Sequence, residues 1–184
     1  MPLSTLDPTP ALVVVDLQNG LRDYPTIHPF ADVVARSAEL AAAFRARGFP
    51  VVLVNATGRA PGRTEQRGAA LPPAPDWADI VEELDPQDGD LRVTKQTWGA
   101  FHGTTLDAQL RDLGVTQVVL TGVSTSAGVE TTARAAYEHG YHVVLATDAM
   151  TDTDPDVHAN SITRIFPRLG ETATTAEILA QLNA

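Results

Sequence analysis

Short apolar runs alternate along the chain with longer segments in which apolar residues recur at helical spacing. Five runs stand out, at residues 11–15, 51–54, 91–94, 117–120 and 142–145, and the third of them is the weakest. Runs that are this short and this rich in Val and Leu are typical of strands buried on both faces, a property of parallel sheets. The pattern therefore predicts parallel strands at these places.

Helical segments are predicted between the apolar runs. Apolar residues repeat at helical spacing from Phe30 to Phe44, and Gly48 follows as the residue that ends this helix. Further helices are predicted over 106–113 and 126–139, from Asp154-Pro155 toward Phe166, and after a cap at Thr174 or Thr175. This alternation predicts an α/β fold: a three-layer, doubly wound, mostly parallel sheet of about six strands with helices on both faces. We expect residues 1–184 to form a single domain.

The stretch from Thr57 to Pro75 breaks this rhythm. It is rich in Gly, Pro, Ala and Arg and shows no periodicity. Long loops in compact α/β proteins often act as lids or interface elements, so we interpret the stretch as a loop that covers a pocket or meets a neighbouring subunit.

Composition and charge exclude several classes of function. The 184 residues include 13 Lys and Arg against 23 Asp and Glu, a formal net charge of −10 that would repel a nucleic acid. The absence of cysteine excludes a disulfide, a thiolate metal site and a cysteine nucleophile. Residues 1–10 lack the pattern of a signal peptide and no run has the length of a membrane helix, so we expect a cytoplasmic protein. With no GxGxxG or P-loop, no nucleotide cofactor is expected.

Two charged residues directly follow predicted strands, where parallel sheets bind ligands. Asp16 ends the first apolar run, and partial burial there would raise the pKa of its carboxyl and suit it to proton transfer. The alternative is that Asp16 caps the turn at Asn19-Gly20. Lys95 ends the third run, where it either partners a carboxylate or lies in solvent.

The segment 121–129 joins the fourth strand to a helix whose free N–H groups would favour an anion or a developing oxyanion. Gly122 and Gly128 would let the backbone approach a ligand. The alternative is an ordinary strand-to-helix turn with Ser126 as N-cap. Trp98 and Phe101 follow Lys95 and either line a pocket or pack in the core, whereas His102 is interpreted as an exposed loop residue.

These segments together resemble the isochorismatase-like hydrolase superfamily, which includes nicotinamidases and N-carbamoylsarcosine amidases. Segment 11–19 is similar to the family's opening strand, with Asp16 at the catalytic aspartate, and segment 93–101 to its lysine segment, with Lys95 at the catalytic lysine. Segments 121–125 and 129–136 are similar to the nucleophile turn, and 139–149 to the fifth strand.

The chain departs from most of the family's amidases at Gly128, which takes the place of the nucleophilic cysteine. A thioester route is therefore closed. True isochorismatases also have glycine there and cleave a vinyl ether without a covalent intermediate. The resemblance thus implies that Asp16 is the general acid, that Lys95 holds and polarises Asp16 or the substrate, and that Gly128 leaves room for substrate or water. It also implies a cis peptide between Val123 and Ser124.

The expected substrate contacts are Gln18, Trp98, Phe101, Val123 and Ser124. Nicotinamidases bind a metal with an Asp and two His after strand two; residues 55–59 include none of these, so neither a metal nor a cofactor is expected. We expect a small-molecule substrate, with Lys95, the helix start and Arg59 or Arg63 favouring an anionic one, and a homo-oligomer, a dimer or tetramer as in the family. Two alternatives remain open: a member that binds a small molecule without turnover, and an amidase that uses Ser124 or Ser126, for which no histidine is recognised as a base.

Overall fold

The computed structural model describes residues 3–65 and 74–183. Within these residues the strands are β1 (Pro10–Val15), β2 (Val51–Ala56), β3 (Leu91–Lys95), β4 (Gln117–Val123), β5 (His142–Thr151) and β6 (Glu171–Ala173). They form one six-stranded sheet in the order β3-β2-β1-β4-β5-β6, and every neighbouring pair is parallel. The chain winds outward from β1 in one direction and from β4 in the other, so the carboxyl ends of these two strands mark the switch point where such sheets bind ligands.

Five α-helices flank the sheet in the described part of the chain: α1 (Phe30–Ala46), α2 (Leu106–Asp112), α3 (Glu130–Glu138), α4 (Pro155–Asn160) and α5 (Thr175–Leu182). Short π-helical turns at Thr125–Val129 and Ser161–Ile165 precede α3 and follow α4. Single 3₁₀ turns lie at Asn19–Leu21, Glu82–Leu84 and Phe166–Arg168.

Two apolar cores lie on opposite faces of the sheet. Along β1, alternate side chains enter different cores: Val13 and Val15 pack with residues of α2 and α3, whereas Leu12 and Val14 pack with residues of α1 and α5. Alternation of side chains along a strand therefore buries both faces of β1. The sheet between two helical layers confirms the predicted three-layer, doubly wound α/β fold.

The helix boundaries agree with the local signals in the sequence. Gly48 has φ 71° just after α1, a left-handed conformation that glycine adopts without a steric penalty. The side chain of Asp154 accepts hydrogen bonds from the N–H groups of Asp156 and Val157 and so caps α4. Thr174, not Thr175, caps α5, in a reciprocal capping box with Glu177.

The carboxyl-terminal part of the sheet differs from the expected strands. β5 continues to Thr151 instead of ending near residue 145, because the pairing with β4 resumes after an irregularity: Met150 lies opposite Gly122 and Thr151 opposite Val123. The short strand β6 has no apolar run to signal it in the sequence, since only Ala173 of its three residues is apolar and buried.

The stretch predicted to be a loop, 57–75, falls partly outside the described residues, and its described part has neither helix nor strand. Among the helices of residues 3–65 and 74–183, none has the length and apolar character needed to cross a membrane.

Candidate active site

Asp16 and Lys95 meet at the carboxyl edge of the sheet. Asp16 directly follows β1 and Lys95 is the last residue of β3, and these two strands lie on either side of β2. The Lys95 Nζ donates a hydrogen bond to Asp16 Oδ2 over 2.7 Å. The lysine is only 2% exposed and its ammonium also donates to the Thr97 carbonyl oxygen at 3.1 Å. The interpretation of Lys95 as the partner of a carboxylate, not a solvated strand end, is therefore the one that the geometry supports.

Burial sets the acidity of Asp16. Removal from water raises the pKa of its carboxyl from 3.8 to about 6, although the charge and hydrogen bond of Lys95 act in the opposite direction. Oδ1 of Asp16 is buried and accepts no hydrogen bond from the described residues. One carboxyl oxygen is thus bound by an ammonium group, while the other is buried without a hydrogen-bond donor among the described residues.

The turn after β4 packs directly on this carboxyl. The peptide between Val123 and Ser124 is cis, as the resemblance implied. Gly122 has φ 121°, and a Cβ there would collide with the main chain of Val15, so only glycine lets β4 approach the end of β1 this closely. Six residues later, a Cβ on Gly128 would lie 3.2 Å from Asp16 Oδ2.

The structure therefore brings Asp16, Lys95 and Gly128 together, as the sequence indicated. Their roles in catalysis stay predictions. The surroundings of Gly128 differ from the expected open space: its Cβ would also lie 3.1 Å from the Val123 carbonyl oxygen and from Val15 Cγ1. Such distances are tighter than ordinary packing, so the glycine chiefly allows the main chain to approach Asp16.

Gln18, expected to contact substrate, makes three hydrogen bonds within the protein. It is fully buried, its Nε2 donates to the carbonyl oxygens of Ala56 and Trp77 at 3.2 Å each, and its Oε1 accepts from the Ala56 N–H at 2.8 Å. The amide therefore joins the end of β2 and residue 77 to the segment that follows Asp16.

The other expected substrate contacts lie in three different environments. Val123 is buried in the core on the α1 side, while Ser124 is half-buried at the cis peptide. Trp98 is 63% exposed. Phe101 packs in the core, with its ring centroid 5.1 Å from that of His139, which is the alternative that the sequence left open for it.

The carboxyl end of β2 is used for internal contacts. Asn55 Nδ2 donates to the Ala78 carbonyl oxygen at 2.7 Å, and its Oδ1 accepts from the Thr94 hydroxyl at 2.8 Å. Within residues 3–65 and 74–183 there is no group of three or more His, Cys, Asp or Glu side chains arranged to hold a metal.

Sequence reasoning missed a buried polar cluster beside the turn. The Asp152 carboxylate lies directly after β5 and accepts hydrogen bonds from both the N–H and the hydroxyl of Ser126, so Ser126 does not act as the N-cap that the alternative interpretation required. His158, on α4, contacts the Thr125 hydroxyl through Nδ1 at 2.9 Å, and burial lowers its pKa. The extension of β5 beyond residue 145 places this cluster, and no motif in the sequence signals that extension.

A buried carboxyl paired with a lysine beside a strand-to-helix turn, at the switch point of a parallel sheet, is the architecture of an α/β enzyme. Residues 10–177 match the Isochorismatase domain, and the chain belongs to the isochorismatase family of hydrolases.

Similar proteins agree with this assignment. The uncharacterized isochorismatase family protein YwoC of Bacillus subtilis is 41% identical, over 94% of this chain and 93% of its own. The ureidoacrylate amidohydrolase RutB of Pantoea ananatis is 33% identical, over 79% of this chain and 70% of its own. The structure of an isochorismatase family protein from Burkholderia thailandensis superposes with a TM-score of 0.94 at 44% identity, over 98% of each chain.

Proposed function

We propose that this hydrolase cleaves the vinyl ether bond of a small, anionic molecule by acid catalysis, without a covalent intermediate. The observation that carries the proposal is the Asp16 carboxyl: it is buried, bound by Lys95 through one oxygen only, and packed against Gly128, where no side chain offers a nucleophile.

The reaction proceeds in three balanced steps. Asp16 donates its proton to the terminal methylene carbon of the vinyl ether, which becomes a methyl group and leaves an oxocarbenium centre next to the ether oxygen. Water adds to that centre and returns a proton to the Asp16 carboxylate. The resulting hemiketal breaks its C–O bond and releases a ketone and an alcohol, so the sum is one vinyl ether and one water.

The raised pKa makes Asp16 a usable acid near neutrality. With a pKa of about 6, roughly one carboxyl in ten carries a proton at pH 7, whereas an ordinary aspartate would be protonated in roughly one molecule in a thousand. Once the proton has left, the ammonium group of Lys95, 2.7 Å away, stabilises the carboxylate. Lys95 thus favours the donating step while burial keeps the proton available beforehand.

The substrate class follows from the groups available to hold it. We propose that a negative group of the substrate is bound by Arg59 or Arg63, because the net charge of −10 gives no long-range attraction for an anion and the Asp152 carboxylate already occupies the helix start after β4. Exposed Trp98 offers a ring face beside the lysine segment.

Hydrolysis of a C–N bond is the second candidate. It is supported by the similarity to a ureidoacrylate amidohydrolase and by the Ser126 hydroxyl, which lies 2.8 Å from the Asp152 carboxylate. Ser126 does not occupy the nucleophile position, and the buried histidine His158 contacts Thr125 instead. An acyl-serine adduct seen by mass spectrometry, lost in Ser126→Ala, would favour this candidate.

A product-detecting screen tests the first candidate. Purified protein is offered isochorismate, simple vinyl ethers, ureides and small amides, with Asp16→Asn as the inactive variant and the exposed Asp88→Asn as the matched control. In D₂O, a vinyl ether that is protonated on carbon yields a ketone with one deuterium in its methyl group, and the product alone, incubated with enzyme, corrects for later exchange. Full activity of Asp16→Asn would rule the mechanism out.

A further inference from the structure

The segment that follows β5 lies beside the turn that covers Asp16. After the irregular stretch of β5, Met150 and Thr151 pair with Gly122 and Val123, the last residues before the cis peptide. Asp152 comes next and is only 4% exposed. A buried carboxylate there needs hydrogen-bond donors, and the turn supplies them.

Asp152 uses both of its oxygens. Oδ2 accepts from the Ser126 N–H at 2.7 Å and from the Ser126 hydroxyl at 2.8 Å, while Oδ1 accepts from the Thr153 N–H at 2.8 Å. Charge-assisted hydrogen bonds of this length are among the stronger polar contacts in proteins. The carboxylate therefore fixes the first half of the turn to the end of β5.

The neighbouring residue of the turn is held from the same side. The Thr125 hydroxyl, which is fully buried, contacts His158 Nδ1 at 2.9 Å. The ring of His28 packs on that of His158 with centroids 5.0 Å apart, and its Nδ1 lies 3.2 Å from the Thr151 hydroxyl. Two successive residues of the turn are thus tied to β5 and α4.

The second half of the turn is what covers the acid. Gly128 follows Ser126 by two residues, and its Cβ position lies 3.2 Å from Asp16 Oδ2. The N–H groups of Ala127 and Val129 both donate to the Ser124 carbonyl oxygen at 3.1 Å, so hydrogen bonds within the turn hold the residues on either side of Gly128. We therefore expect a displacement at Ser126 to change the cover over Asp16.

We propose that Asp152 is a positioning residue that holds the Ser124–Gly128 turn over the Asp16 carboxyl and keeps water away from it. Asp152 acts through the turn and does not touch the reacting atoms. This role rests on the proposed function of Asp16 as the acid, yet the test below measures Asp16 without substrate, so the two proposals can fail separately.

The test is the titration of Asp16 in Asp152→Ala, followed by the ¹³C shift of its side-chain carboxyl and assigned with Asp16→Asn. In the intact protein we expect a midpoint of about 6. In Asp152→Ala, water reaches the carboxyl while Lys95 stays beside it, so the midpoint should fall to 3.8 or below. Asp152→Asn keeps one acceptor oxygen and should give an intermediate midpoint.

A matched control separates positioning from a general loss of stability. Asp90 is a similarly buried carboxylate that is held by Arg45, at 2.8 and 2.9 Å, away from the turn. Asp90→Ala should lower the free energy of unfolding but leave the Asp16 midpoint near 6. A midpoint unchanged in folded Asp152→Ala, or lowered equally by Asp90→Ala, would overturn the proposal. Should Asp152→Ala not fold, Asp152→Asn decides in the same way, by a lowered or an unchanged midpoint.

Discussion

The raised pKa of Asp16 has a consequence for stability that can be measured without any substrate. The folded protein holds this carboxyl at a pKa of about 6, whereas the unfolded chain has the ordinary 3.8. The folded state therefore binds the proton more tightly, so the stability contributed by this group is fully present below the unfolded pKa and is lost as pH rises through the folded pKa. At 1.36 kcal/mol per pH unit, the full loss is about 3 kcal/mol.

The double variant Asp16→Asn/Lys95→Met isolates this contribution. Removing only the aspartate would leave a buried, unpaired ammonium and destabilise the protein by about 3–5 kcal/mol. Removing both charges avoids that imbalance, and every other titrating group is shared with the original protein. The difference in free energy of unfolding between the two proteins should therefore change with pH only through Asp16.

Urea unfolding, followed by Trp fluorescence from about pH 4.5 to about pH 7.5, measures this difference. Over that range the protein should lose about 2 kcal/mol relative to the double variant, and the loss should become constant above pH 7. The exposed control variant Asp88→Asn keeps Asp16 and Lys95, so it should lose the same stability relative to the double variant as the original protein does. A difference that stays flat across the range would mean that Asp16 titrates alike in the folded and unfolded chain, and the acid mechanism would lose its basis.

Three further substitutions follow from the same geometry. Gly122→Ala should lower the free energy of unfolding by about 3 kcal/mol or prevent folding, because its Cβ would collide with β1 and its φ is positive. The control Gly89→Ala has open space around the new methyl group and should change the free energy of urea unfolding by less than about 0.5 kcal/mol. Equal effects of the two substitutions would contradict the packing described. Gly128→Ala should destabilise by about 1–3 kcal/mol in the same assay and shift the Asp16 carboxyl resonance, because the new methyl group would press on that carboxyl; an unshifted resonance would argue against close contact. Lys95→Met should raise the Asp16 pKa above 6, because the charge and hydrogen bond of the lysine lower it. The fall of kcat/KM with rising pH should then move to higher pH by about 1–2 pH units. An unmoved pH profile would show that Lys95 does not set the pKa of the catalytic acid.

The pair of Asp16 and Lys95 could be predicted because one simple rule places it. Both residues directly follow apolar runs, and parallel strands bring their carboxyl ends to the same edge of the sheet. Gly128 joins them through the same rule, since the turn that contains it leaves the neighbouring strand β4. The rule placed all three residues at one edge of the sheet, whereas the pairing of Lys95 with Asp16 was implied only by the resemblance to the family.

Asp152 could not be found in this way, because its position depends on an irregularity in β5. The pairing passes from Leu145 opposite Leu120 to Met150 opposite Gly122, so the intervening residues bulge out of the ladder. Among these, Asp148 accepts hydrogen bonds from the N–H and hydroxyl of Thr175 at the start of α5. In the sequence a polar residue such as Asp148 is typical of the end of a strand. In the fold its carboxylate is instead hydrogen-bonded by the start of a helix that lies 27 residues further along the chain.

Gln18 is a second residue whose role could not be predicted from the local sequence. A polar side chain two residues after a catalytic candidate resembles a substrate contact in the sequence, yet its hydrogen bonds go to Ala56 and Trp77, separated from it by 38 and 59 residues. Contacts over such separations are decided by the path of the whole chain. Sequence patterns can therefore place a side chain near the site without showing whether it faces a ligand or supports the scaffold.

The hydrogen bonding, pKa and backbone conformation of Asp16 also help to decide whether the site catalyses a reaction or only binds a ligand. A carboxyl that served the fold alone would be expected to have both oxygens bonded, as Asp90 does, whereas Asp16 Oδ1 is buried without a donor among the described residues. Its ionised form is destabilised by about 3 kcal/mol at neutral pH, and φ 55° adds backbone strain at the same residue. A strongly shifted pKa, an unbonded buried oxygen and a strained backbone on one residue are typical of active sites. For Asp16 they favour a site that turns over a substrate over a site that only binds one.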